Sequence, residues 1–309
     1  MPVISVNGME IAYDDRGNRD NPAILLIMGL ATQMIAWPEA FCDSLAAHGL
    51  RVVRFDNRDV GLSTKFEAAP PVDLGAVLQR VMAGEKINPP YDLTDMAGDT
   101  IGLMDRLAIE KAHVVGASMG GMIAQIVAAK HPNRVRSLVS IMSSSGDPGL
   151  PQAKPEAMTA IMLARPDGSD RELATEHGMR IYRAIGSPGF PTPDDELRAK
   201  VGAAFDRSYY PAGVGRQFAA IVASGSRVEM LQKLSVPTLV LHGADDPLVP
   251  VEAGRHTAAQ IPGSTLTVIP GMGHDIATGL IPILVEAIAT HCRAADEQSN
   301  PAIIMEKSN

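Results

Sequence analysis

Short apolar runs alternate with amphipathic stretches along most of this 309-residue chain. Residues 23–28 (AILLIM), 51–56 (RVVRFD), 112–118 (AHVVGAS), 136–144 (RSLVSIMSS), 237–243 (PTLVLHG) and 264–270 (STLTVIP) are too short for helices and rich in apolar residues, which predicts buried strands. Between them, 38–49, 93–109, 122–131, 250–261 and 276–291 place apolar residues at helical spacing. Strands that alternate with helices imply parallel βαβ units with helices on both faces of one sheet. The first 15 residues read differently, as two short strands around Asn7-Gly8, a strong hairpin signal.

The rhythm stops after Ser145. From 146 to 232 no convincing apolar strand occurs, while fragments such as PEAMTAIMLARP and DDELRAKVGAAFDRSYY are helical, punctuated by Pro and Gly. The predicted fold class is therefore α/β: a mostly parallel sheet with helices on both faces, built from residues 1–145 and 233–292, with 146–232 inserted as a helical lid. Residues 293–309 are polar and aperiodic and read as a C-terminal tail.

Composition narrows the partners. Charged residues make up 20% and hydrophobic ones 46%, which is globular, and a net charge of −8 speaks against a nucleic-acid or anionic-membrane surface. Small uncharged partners are expected. Cys42 and Cys292 are too few and too far apart for a disulfide framework, the first residues lack the basic and apolar regions of a signal peptide, and no stretch of about 18 residues is continuously apolar. These features predict a cytoplasmic protein outside the membrane. No His, Cys, Asp or Glu spacing matches a metal site, and no glycine loop matches a dinucleotide or phosphate cradle, so neither metal nor cofactor is expected.

Chemistry enters at 113–125, HVVGASMGGMIAQ, where a Gly-x-Ser-x-Gly pentapeptide joins a strand to a helix. A serine on such a turn sits in strained backbone with its hydroxyl pushed into the open and a helix N-terminus behind it. By itself the pentapeptide is equally a plain glycine-rich turn. A serine hydroxyl is a weak nucleophile that needs a base, and the base needs an orienting carboxylate. Both follow in the required order: LVLHGADDPLVP offers Asp245 and Asp246 after a strand, and TVIPGMGHD offers His274 after the last one.

With LIMGL, RFDNRDVGLS, GASMGG, HGADDPLVP and PGMGHD in register, the chain resembles the α/β-hydrolase superfamily over roughly residues 5–292, and most resembles the branch of aclacinomycin methylesterases and related carboxylesterases. The resemblance implies Ser118 as nucleophile, Asp246 rather than Asp245 as acid, His274 as base, and the backbone N–H groups of Leu30 and Met119 as oxyanion hole. It implies that the turn at 56–63 is structural, an Asp–Arg pair satisfying backbone groups. One departure is Met28 where the wider family usually has histidine, which touches only the side-chain bracing of that loop. His242, at the end of a core strand, reads as packing beside the acid loop.

The expected activity is hydrolysis of small to medium uncharged carboxylic esters through an acyl-enzyme. A cofactor-free perhydrolase, a lactonase or a C–C bond hydrolase would use the same triad. A ligand-binding protein on a retired hydrolase scaffold is the alternative from another class.

Overall fold

The computed structural model describes residues 1–166, 168 and 170–299. Strands β1 (Val3–Val6) and β2 (Met9–Arg16) form the antiparallel hairpin, turning at Asn7 and Gly8, both at positive φ. The mirror-image turn that matches strand twist requires such angles, which Asn and Gly tolerate. β2 then pairs antiparallel with β4 (Arg51–Phe55). From β4 onward the pairing is parallel, through β3 (Ala23–Ile27), β5 (Ala112–Ala117), β6 (Val135–Ile141), β7 (Thr238–Gly243) and β8 (Thr265–Ile269). The eight strands lie in the order β1-β2-β4-β3-β5-β6-β7-β8.

The helices are α1 (Glu39–Ala47), α2 (Leu74–Met82), α3 (Leu93–Arg106), α4 (Met119–Lys130), α5 (Pro155–Met162), α6 (Arg171–Ile185), α7 (Asp194–Arg207), α8 (Pro211–Ser224), α9 (Val228–Leu231), α10 (Val251–Gln260) and α11 (Ile281–Ser299). Continuous apolar strands become intelligible once both faces are covered. Leu25, Ile27, Val53, Phe55 and Val114 pack with Leu103 of α3 and Ile123 of α4. Their neighbours Ile24, Leu26, Val52 and Val115 point the other way, onto Phe41 of α1 and Leu284 of α11. No helix among the described residues is long and apolar enough to cross a membrane.

Helix α11 corrects one boundary. It runs to Ser299, so 293–299 are helix rather than tail. Cys292 and Ala295 are buried on its inner face, and Asp296 accepts hydrogen bonds from Arg136 (2.8 Å) and His113 (3.4 Å), which holds the polar final turns down. The rest of the expected tail, 300–309, lies outside the described residues.

Helices α5 to α9 occupy the chain between β6 and β7. Arg227 ties the two ends of this insertion together: its backbone N–H donates to Ser145 O (2.8 Å) and its guanidinium to Ser144 O, Gly225 O and Gln125 Oε1. With no carboxylate beside it, burial lowers the Arg227 pKa to about 10, which leaves it charged near neutrality.

The turn at 56–63 fixes the other side of the insertion, and here the structure differs from expectation. Its aspartates do satisfy backbone groups, Asp56 accepting from Met34 N and Leu62 N (2.8 Å each) and Asp59 from Phe66 N (2.8 Å). No Asp–Arg pair forms within the turn. Arg58 reaches Asp99 on α3 through two 2.7 Å bonds, Asp56 pairs with Arg207 at the end of α7 (2.7 Å), and Asp59 takes Arg216 of α8 at 2.8 and 2.9 Å. Each charge in the turn faces a different element, so the turn is a junction between core and insertion. Glycines let α8 settle this close: a Cβ at Gly213 would stand 2.2 Å from Asp59 O, and one at Gly215 1.9 Å from Val72 O.

Removing one partner of a buried pair leaves the other charge uncompensated, typically at 3–5 kcal/mol. Asp59 would keep the Phe66 N–H and the Tyr91 hydroxyl (2.7 Å). Arg216→Met is therefore expected to lower unfolding free energy by about 3 kcal/mol, the low end of that range. Urea denaturation followed by circular dichroism measures it, and a loss below about 1 kcal/mol, the level of exposed pairs, would mean that the pair does not anchor α8.

Candidate active site

Ser118 sits between β5 and α4 at φ 56° and ψ −120°, a conformation L-residues avoid. Bonds to its backbone hold it there: its N–H donates to Ile141 O (2.9 Å), and its carbonyl accepts from Ser143 Oγ (2.7 Å), Gly121 N (2.9 Å) and Met122 N (3.2 Å). The flanking glycines have steric reasons. A Cβ on Gly116 would fall 2.0 Å from Gly120 O, one on Gly120 2.1 Å from Ile27 O, and one on Gly121 2.6 Å from Ser143 Cβ. Backbone therefore crosses backbone at the elbow, and only the Ser118 hydroxyl is free to project.

The parallel sheet brings two later strand ends beside it. His274, in the loop after β8, has Nε2 3.0 Å from Ser118 Oγ and Nδ1 2.7 Å from Asp246 Oδ2. Asp246, after β7, is buried, and its other oxygen accepts from Leu248 N (2.9 Å) and Val249 N (2.8 Å), which fixes the carboxylate plane. Its neighbour Asp245 faces elsewhere and accepts from Gly271 N (2.8 Å), bracing the loop that leads to His274. Two adjacent acids thus divide two tasks. His242 is buried with Nε2 2.8 Å from Val249 O, so it packs against the loop that carries Asp246, and desolvation lowers its pKa.

Met119 opens α4, and Gly29 brings the preceding loop so near that a Cβ there would be 3.1 Å from Ser118 Cβ. No hydrogen bond among the described residues occupies the N–H of Leu30 or of Met119. The next N–H in the loop, Ala31, is taken by Gln217 Oε1 (2.8 Å), while Asn57 Nδ2 donates to Met28 O (2.9 Å). These amides supply the bracing that the Met28 side chain does not. Sequence reading missed both; Asn57 lies inside the quoted DNRDVGLS, but Gln217 lies in the insertion, where nothing marked it.

The inserted segment also holds the loop that carries His274. His274 N donates to Ile185 O at the end of α6 (2.7 Å), Gly273 N donates to Ser187 Oγ (2.8 Å), and Ser187 Oγ donates to Asp275. Burial raises the Asp275 pKa, opposed by that hydroxyl, by Lys200 and by His274. Ser118 and His274 line a cavity of about 590 Å³ between core and insertion, whose walls also include Met28, Met122, Met142 and Phe218. Such a size suits a small organic molecule. Among the described residues no group of three or more His, Cys, Asp and Glu is gathered as a metal ion would need.

Comparison with family models matches residues 22–277 to the alpha/beta hydrolase fold. The chain is similar to rhodomycin D methylesterase of Streptomyces sp. strain C5, 28% identical over 96% of this chain and 99% of that protein. It is also similar to the bifunctional esterase/perhydrolase of Acinetobacter calcoaceticus, 26% identical over 89% of this chain and 93% of the relative. A solved structure, the meta-cleavage product hydrolase of Pseudomonas fluorescens IP01, matches with a TM-score of 0.76 at 19% identity, covering 96% of this chain and 98% of the other. That last likeness is one of fold.

Removing the Ser187 hydroxyl strands the Gly273 N–H and one oxygen of Asp275 beside the imidazole. Ser187→Ala is expected to cost about 1–3 kcal/mol in stability, the desolvation of one unmet group, and to lower kcat for a small ester with little change in KM. Steady-state kinetics beside a denaturation curve tests this. An unaltered kcat would mean that the loop carrying His274 is positioned without the Ser187 hydroxyl.

Proposed function

The chain belongs to the alpha/beta hydrolase fold family, and on that premise we propose that it hydrolyses carboxylic esters with Ser118 as nucleophile, His274 as base and Asp246 as orienting acid. The observation that carries the assignment is the single line of hydrogen bonds from Ser118 Oγ through His274 to Asp246, at 3.0 and 2.7 Å. Methylesterase relatives that span nearly the whole chain support ester hydrolysis as its reaction. Both cysteines are free and buried, which supports a cytoplasmic setting.

As Ser118 Oγ attacks the ester carbonyl, His274 Nε2 takes its proton, and the N–H groups of Leu30 and Met119 receive the oxyanion. The imidazolium that forms is stabilised by Asp246, which keeps Nδ1–H as the donor and does not itself take the proton. His274 then protonates the leaving alcohol. Water enters, gives its proton to the same nitrogen and attacks the acyl-enzyme, and collapse returns the Ser118 hydroxyl with release of the acid. General-base help contributes roughly 10²–10⁴ and one oxyanion donor about 10²–10³ in rate, so neither part suffices alone.

The Acinetobacter relative supports a second use of the same acyl-enzyme, attack by hydrogen peroxide in place of water to give a peracid. Lactone opening and C–C bond hydrolysis also need only this triad, and parallel assays on esters, lactones and peracid formation separate them. Two unoccupied oxyanion donors beside a complete triad speak against a binding-only role.

Ser118→Ala is expected to lower p-nitrophenyl acetate turnover by on the order of 10⁶ while leaving the far-ultraviolet spectrum intact, since a triad acts as a unit. A fluorophosphonate probe is expected to label the native chain at Ser118 and to leave this variant unlabelled. Substantial turnover by the variant would move the nucleophile elsewhere.

A further inference from the structure

Arginines that are not fully exposed have their charge answered almost everywhere in this chain. Arg51 has Asp15, Arg54 has Asp14 and Glu39, Arg58 has Asp99, Arg207 has Asp56 and Arg216 has Asp59. Arg16, Arg134 and Arg136 also reach carboxylates. Arg227 lacks one but fills its fork with three neutral acceptors.

Arg165 is the exception. It lies between α5 and α6 in the inserted wall of the cavity into which Ser118 opens, and among the described residues it makes neither an ion pair nor a hydrogen bond. Burial lowers its pKa, opposed by Tyr209. His177 of α6 lines the same wall with a buried Nε2 that has no partner among the described residues, and its own pKa is lowered by burial and then by Arg165 and Arg180. The cavity's other cation, Lys200, is better placed, lying 4.8 Å from the Tyr182 ring centroid and close enough to Asp275 to act on its carboxyl.

Arg165 is half-buried at the cavity wall, and its guanidinium offers five donors in a rigid fork that meet no acceptor among the described residues. Donors left open in a cavity are available to a ligand. A planar fork fits a carboxylate through two parallel bonds, and a neighbouring imidazole ring nitrogen can add a third. We propose that Arg165, flanked by His177, is an anion subsite of this cavity, and that the ester taken there carries a free carboxylate on the part held by the insertion, as a half-ester of a dicarboxylic acid does. The inference rests on the esterase reading and narrows its substrate class: the body of the molecule lies against apolar walls, and one charged end meets Arg165.

The test compares monomethyl esters of the dicarboxylic acids from succinate to suberate with methyl esters of the monocarboxylic acids of equal chain length. For at least one length the native protein is expected to favour the half-ester at least tenfold in kcat/KM, with added salt weakening the preference. Arg165→Met is expected to bring that ratio to about one, mainly through KM for the half-ester, and Arg165→Lys to restore part of it. Inhibition of the native protein by the free dicarboxylates, compared with monocarboxylates of equal length, reads the subsite even if the methionine variant does not fold. Neutral esters preferred at every length, or a half-ester preference that persists in Arg165→Met, would overturn the subsite. Absence of turnover for every ester in the panel would instead remove the esterase reading beneath it, an outcome distinct from the first.

Discussion

A single residue held in backbone it would not choose sets the terms for the rest of this molecule. Ser118 at φ 56° projects its hydroxyl away from both β5 and α4, at a conformational cost of order 1–3 kcal/mol. The geometry is reachable only because neighbouring chain passes where side chains would otherwise stand. Gly116 and Gly120 cross each other, Gly120 lies on Ile27 O, and Gly29 lies on Ser118 itself. What holds the elbow is the sheet beneath it: the Ser118 N–H is tied to the end of β6, and β5 is buried along its whole length. Strain at one residue is thereby opposed by the packing of a sheet core.

The second constraint is that the insertion is wired into the site as well as laid over it. His274, which must meet Ser118, draws its own backbone bond from Ile185, and the loop before it leans on Ser187. At the far side, α7 and α8 are held by Asp56–Arg207 and Asp59–Arg216, whose carboxylates are fully buried. Buried pairs of this kind add little net stability compared with apolar packing, but a displaced arrangement that separates them is penalised heavily. Gln217 sits one residue from Arg216 and holds Ala31, next to Leu30. The charges that dock α8 therefore also fix the loop expected to receive the oxyanion.

What was legible in the sequence follows from which features are local. The apolar strands, the elbow and the loops holding Asp246 and His274 each occupy a few consecutive residues, and a parallel sheet puts the ends of β5, β7 and β8 on one edge whatever lies between them. Chain order was therefore enough to gather residues 156 and 28 positions apart. The junction at 56–63 was legible only in part. That its aspartates would take backbone N–H groups can be read from an Asp-rich turn, but Asp59 and its partner Arg216 are 157 positions apart and share no pattern. The final turns of α11 escaped for a related reason: Asp296 looks like part of a solvated tail until Arg136 and His113 are placed beside it.

Charge illustrates the same division between what composition reports and what a site contains. A net charge of −8 is spread over a surface and screened in physiological salt within about 8 Å, so it bears on association with large polyanions far more than on a small molecule already inside a cavity. Within that cavity the relevant quantity is the charge left unanswered at contact distance. Two unit charges 4 Å apart interact by about 4 kcal/mol at the effective dielectric of a protein boundary, against about 1 kcal/mol in bulk water. The acidic surface and the apolar walls accordingly bear on the body of a ligand, whereas along the inserted wall the cations Arg165 and Lys200 face the cavity, and no carboxylate among the described residues pairs with Arg165.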